Sequence, residues 1–237
     1  MDSYQQQQPA WISASTTEMA DRERAFFRSV YSWMTGGLLL TTVAALWVAS
    51  SPFMQKLVIA NPIVMIALML AELGIVFYAS ATIQKLSPTA AAVCFLVYSL
   101  HTGLTLSIVL FVYSSASIFQ AFATAGGMFA VMSVYGRVTK KDLTSWGSFL
   151  LMGVFGLIIA MVVNMFIHSY ALEMAVSTIG VFVFVGLTAY KTQALRTMAH
   201  AGGERAETYA IYGALSLYIT FINLFLMLLR LFGGRRR

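Results

Sequence analysis

The last apolar run, residues 209–232, constrains this chain more than any other feature. A helix rises about 1.5 Å per residue, so about 20 residues cross the roughly 30 Å hydrocarbon layer of a bilayer. The run is long enough, and its first charge, Arg230, comes only near the far end. It is not uniformly apolar: Tyr212, Ser216, Thr220 and Asn223 follow one another at helical spacing and share one face. Lipid offers such a face no hydrogen-bond partner. The seam therefore predicts a helix whose polar side meets other helices or water, either as packing glue or as the lining of a path.

Six further runs of similar character precede it, at residues 30–50, 57–83, 89–113, 117–135, 145–167 and 171–191. With 59% hydrophobic and only 10% charged residues, the chain lies far from a soluble domain, which carries about a quarter charged residues. The expected fold is all-α and integral to the membrane: a seven-transmembrane-helix bundle with the C-terminal helix central and enclosed by the other six. Ser51-Pro52, Asn61-Pro62 and Ser87-Pro88 mark span boundaries, and residues 192–206 form the longest internal loop. Residues 1–28, with Gln5 to Gln8 and Pro9, lack the basic-then-apolar order of a cleaved signal peptide. They read as a short, mostly disordered cytoplasmic tail with room for an interfacial helix at its end, and 29–237 as the membrane domain.

Lys and Arg in short loops set orientation. With the amino end inside, Arg22, Arg24, Arg28, Lys85, Arg137, Lys140, Lys141, Lys191, Arg196 and Arg205 fall on the cytoplasmic side, and Lys56 opposite. Arg235, Arg236 and Arg237 break the pattern, so the last helix either crosses fully or re-enters; full crossing is the favoured reading. Thr139 and Asp142 have the spacing of a capping box before the fifth span.

Little in the chain suggests catalysis. There is no Gly-x-Ser-x-Gly elbow, no His-Glu-x-x-His pair and no phosphate loop. Cys94, alone and inside an apolar run, reads as a small packing residue, which leaves no disulfide or thiolate metal site and implies no cofactor. A retinal protein is excluded because the last helix has no lysine for a Schiff base. The net charge of +6 does not imply nucleic acid, since the basic residues lie where membrane topology puts them. Glu72 is the only acid well inside a span, and ionisable groups there face the bundle interior by default. His101, in mid-span, is either a proton-responsive group or a satisfied packing residue. Asn164 packs or caps.

Several motifs carry a resemblance. Tyr31-Ser32-Trp33-Met34-Thr35-Gly36-Gly37-Leu38, Ile83-Gln84-Lys85-Leu86-Ser87 and Thr139-Lys140-Lys141-Asp142-Leu143 are similar to patterns of the bacterial Bax inhibitor-1 (transmembrane Bax-inhibitor-motif) family. So are Val185-Gly186-Leu187-Thr188-Ala189-Tyr190, Gly213-Ala214-Leu215-Ser216-Leu217-Tyr218 and Phe221-Ile222-Asn223-Leu224-Phe225-Leu226-Met227-Leu228-Leu229-Arg230. The resemblance implies a multi-pass protein of the bacterial inner membrane, with a seven-helix bundle around its last helix. It also implies a pH-sensitive calcium leak, gated by two aspartates near the cytoplasmic side. One aspartate follows the Ala-Tyr of the sixth span and the other precedes Phe-Ile-Asn of the seventh. This sequence places Lys191 and Thr220 there. Two carboxylates share a proton, titrate as a pair and attract divalent cations; lysine repels such cations and threonine is neutral. Lys191 either snorkels to the interface from the end of its span or sets a fixed positive charge at the pore. Some family members carry an acid near Glu72, so Glu72, His101, Lys191, Ser216, Thr220 and Asn223 are the pore and gate candidates. Two functions follow: a channel-like protein that leaks Ca²⁺ or other cations across the lipid bilayer, or a non-conducting regulator that binds another membrane protein such as a quality-control protease.

Overall fold

The computed structural model describes residues 10–201 and 205–234. Among these residues the chain forms helices and turns without strands: α1 (Ala10–Ser50), α2 (Pro52–Met54), α3 (Pro62–Thr82), α4 (Pro88–Leu106), α5 (Val109–Val112), α6 (Ser115–Val138), α7 (Thr144–Ile167), α8 (Tyr170–Ala201) and α9 (Ala206–Phe232). Seven of them are long and apolar enough to cross a membrane, once the short α5 is counted with α4.

Three helix starts follow directly from the proline pairs. Proline at the first helical position sacrifices no hydrogen bond, and the preceding Ser or Asn caps the free amides. Asn61 Oδ1 accepts from Ile63 N at 3.2 Å and Val64 N at 3.3 Å. Ser87 Oγ accepts from Ala90 N at 3.3 Å, and Ser51 Oγ from Met54 N at 3.4 Å. The capping box expected at 139–142 does not form. Thr139 Oγ1 accepts from Lys141 N and Asp142 Oδ1 from Thr144 N, two local turns in place of one reciprocal cap. The loop is held from outside instead, because Gln193 on α8 donates to Lys141 O at 2.7 Å and accepts from Leu143 N at 2.8 Å. Asn164 does cap: its Oδ1 accepts from Ser169 N at 2.9 Å, closing the turn in which His168 takes a left-handed φ of 53°.

Two boundaries lie well away from the sequence reading. Of the expected tail, residues 1–9 lie outside the described residues, and helix begins at Ala10, earlier than a short helix at the tail's end would place it. The expected loop at 192–206 is largely helix, since α8 runs on to Ala201. Hydropathy ends where the bilayer ends, but the helices continue because Leu195 and Ala199 remain buried on one side of α8, as Phe26 and Phe27 do on α1.

The core gathers around α9, where Ile211, Ala214, Leu217, Tyr218 and Leu224 are fully buried. This helix packs chiefly against α1, α4, α6 and α8, four of the six other spans. By contrast α3 and α7 turn long apolar faces outward; Ile63 is 79% exposed and Phe166 81%. Close approach depends on missing side chains. A Cβ on Gly103 of α4 would press on Thr41 O and Ala44 of α1, and one on Gly136 of α6 on the backbone of Ala189 in α8. Small residues of this kind set helix contacts in membranes, where lipid removes the usual hydrophobic drive between helices.

The ends of the bundle are tied by name. Thr208 Oγ1 at the start of α9 reaches Leu86 O of the α3–α4 turn at 3.5 Å. At the opposite end Gly234 N donates to Ser117 Oγ at 3.1 Å. Helix α9 therefore runs the whole length of the bundle and does not re-enter; Arg235, Arg236 and Arg237 lie outside the described residues.

Candidate functional site

Among the polar groups of residues within the bundle, three bear on the candidate site. The first joins α8 to α9. Lys191 sits ten residues before the end of α8, so it cannot reach water by ending its span. Its side chain turns inward instead. Nζ donates to Thr220 Oγ1 at 2.9 Å and to Ser216 O at 3.1 Å. The Thr220 hydroxyl, 1% exposed, passes its own proton to Ser216 O at 2.9 Å. Of the two readings of Lys191, the contact to α9 agrees with the interior charge, because two acceptors on α9 lie within reach. Ser216 contributes its carbonyl oxygen to Lys191. Asn223 Nδ2 bonds Ile219 O one turn back at 2.8 Å and adds no tie to another helix through that group. Tyr212, Ser216 and Asn223 are half-buried, and Thr220 is the one fully buried member of the seam. Among the described residues no carboxylate forms an ion pair with Lys191. Nor do those residues contain three His, Cys, Asp or Glu side chains placed to hold a metal ion.

The second group joins α3 to α4. Glu72, half-buried, accepts from Thr102 Oγ1 at 2.9 Å and from Thr105 Oγ1 at 2.7 Å. One residue before Thr102, His101 points Nε2 at Leu68 O at 2.8 Å; a carbonyl only accepts, so Nε2 carries the proton. Leu68 and Glu72 are one turn apart on α3, and His101 and Thr105 one turn apart on α4, so the two ties stack. The geometry brings Glu72 and His101 into one polar strip, apart from the group around Lys191.

Sequence reasoning missed the third group. Thr41 on α1 meets the Tyr218 hydroxyl at 2.5 Å and lies 2.8 Å from Ser99 O. Phe95 and Tyr98 stand edge-on to the Tyr218 ring, each with centroids at 5.7 Å. A signal existed: a tyrosine in an apolar run needs a partner for its hydroxyl. Tyr218 falls off the 212–216–220–223 face, so the seam drew attention past it.

The family model described as "Inhibitor of apoptosis-promoting Bax1" matches residues 23–237. Inner membrane protein YbhL of Escherichia coli (strain K12) is 47% identical over 221 residues, covering 90% of this chain and 93% of that one. An uncharacterized protein of Deinococcus radiodurans is 45% identical over 226 residues, covering 94% and 96%. One from Borreliella burgdorferi, likewise, is 39% identical over 214 residues, covering 89% and 92%.

Proposed function

This chain belongs to the Bax inhibitor-1 family, and from that premise we propose that it is a cation-leak protein of the bacterial inner membrane, calcium foremost, whose latch holds a lysine and a threonine in place of two carboxylates. The observation that carries the reading is the 2.9 Å bond from Lys191 Nζ to Thr220 Oγ1. The two positions that the resemblance assigns to the aspartate pair touch each other across α8 and α9. Two aspartates there would share a proton and separate as it leaves. With a carboxylate at neither position, the pair has no shared proton to lose. The leak therefore lacks the acid gating that a carboxylate pair supplies around neutral pH.

Calcium flux into liposomes from pH 5 to 8 tests this. The parent is expected to show no steep transition between pH 6 and 7, whereas Lys191→Asp with Thr220→Asp gains one, with severalfold more flux on its open side. A steep transition in the parent would refute the proposal.

The same lysine favours a second reading. With no carboxylate paired to it among the described residues, the ammonium opposes a divalent cation by several kcal/mol at close range. A non-conducting regulator that binds another membrane protein, a quality-control protease for example, agrees with that barrier. Absence of flux from both parent and double variant selects this reading.

The end of the bundle bearing Arg137, Lys140, Lys141 and Arg196 is assigned to the cytoplasm by its excess of Lys and Arg. A Lys140→Cys variant, made with Cys94→Ser, is then expected to react with an impermeant maleimide only after cells are opened. Ser114→Cys in the same background reacts in intact cells, and the reverse pattern inverts the topology.

A further inference from the structure

Where α1, α6 and α8 meet, Glu23 receives three donors from two other helices. Arg137 Nη2 donates to its Oε1 at 3.3 Å, Arg196 Nε to its Oε2 at 3.4 Å, and His200 Nε2 to the same oxygen at 3.2 Å. Arg137 also lies over the Phe27 ring, 4.4 Å from its centroid. Two guanidinium charges thus share one carboxylate. Each guanidinium has five N–H groups, and each spends one on a protein acceptor among the described residues. Beside them opens a cavity of about 450 Å³, lined by Glu23, Val134, Arg137, Val138 and Arg196.

The apolar part of that lining points to the ligand. Val134 and Val138 lie on the same side of α6 as Val131, and the three are 60%, 67% and 67% exposed. These valines run down α6 into the part of the bundle that lipid surrounds. A site with spare arginine donors at its head and a bare valine strip below it matches an anionic glycerophospholipid. We propose that Arg137 and Arg196 bind the headgroup phosphate of such a lipid, with an acyl chain along Val138, Val134 and Val131. Arginine suits the task because its planar fork meets phosphate oxygens in pairs, and basic pockets between membrane helices hold lipid headgroups in this way. Glu23 serves as the internal counter-ion that keeps the two arginines together and competes with the lipid. The inference does not depend on whether the protein conducts.

The test is binding of phosphatidylglycerol to the full-length protein in a neutral detergent, read by native mass spectrometry, with phosphatidylcholine and inorganic phosphate as competitors. Phosphatidylglycerol is expected to bind saturably and to resist both. Arg196→Gln leaves Arg137 on Glu23 and is expected to weaken binding about tenfold, the worth of one charge-assisted hydrogen bond. Glu23→Gln removes the competing carboxylate and is expected to tighten binding about threefold. A purely structural clamp predicts the opposite, a less stable protein with no gain in affinity. Lys140→Gln, outside the cavity, is expected to change nothing. Equal binding of phosphatidylcholine, displacement by millimolar inorganic phosphate, or unchanged or weaker binding in Glu23→Gln each overturns the proposal.

Discussion

Gly136→Leu is expected to cost at least 3 kcal/mol of stability and to lower the unfolding temperature in detergent by many degrees. The backbone of Gly136 lies against the carbonyl of Ala189, so the added side chain has nowhere to go unless α6 and α8 separate. Overpacking usually costs about 1–3 kcal/mol, and a clash with backbone has no flexible neighbour to absorb it. The damage would not stay local. Three residues before Gly136, Ser133 meets Tyr31 of α1 at 2.5 Å and Thr192 of α8 at 3.2 Å. Thr192 is the immediate neighbour of Lys191, so the latch contact shifts with it. The control sits on the same helix: around Gly127 nothing lies within 4 Å of an added Cβ. Gly127→Leu should be tolerated, or gain up to about 1 kcal/mol from helix propensity. Equal tolerance of both variants would show that the α6–α8 contact does not hold the bundle.

The second large effect concerns Glu72. Among the spans, α3 packs only against α4 to any extent, and its outer face is bare. Its two hydroxyl partners and the adjacent His101 bond are therefore a substantial part of what holds α3 in place. Removing both hydroxyl bonds with Glu72→Leu is expected to cost roughly 2 kcal/mol, at 0.5–1.5 kcal/mol for each ordinary bond; Thr105 Oγ1 keeps Thr102 O as an acceptor at 2.9 Å. Glu72→Gln keeps an acceptor oxygen of the same shape and should lose less than half as much. Thermal unfolding in detergent ranks the three proteins, and liposome flux on the same samples separates the roles. Parent-like stability with lost flux in Glu72→Gln puts the carboxyl group on the ion path. Unchanged stability in both variants removes it as a tie between α3 and α4.

Much of this was legible from the chain because the bilayer is a solvent that acts locally. Each stretch of about 20 residues must satisfy its own backbone and tolerate lipid, so hydropathy alone locates the crossings. Proline after Ser or Asn locates helix starts for an equally local reason. The candidate pair Lys191 and Thr220 was also nameable, though through family pattern and not through geometry. Glycine was less legible. Gly126-Gly127 is the conspicuous pair in the fourth span, yet neither residue has a neighbour within 4 Å of an added Cβ, and the solitary Gly136 does. Nothing in the local sequence distinguishes a glycine facing lipid from one pressed against a carbonyl.

By itself, then, the sequence determined the class, the seven crossings, the helix starts after Ser and Asn, and the family. Tertiary structure alone decided where the charges go. It turned Lys191 inward, because α8 continues past it and Ser216 O and Thr220 Oγ1 lie within 3.1 Å. It placed Glu23 between two arginines and a histidine more than a hundred residues away, and gave Tyr218 its partner on α1. Hydropathy is a sum over neighbours in sequence, whereas a buried polar group is settled by whichever atom on another helix comes within about 3 Å of it.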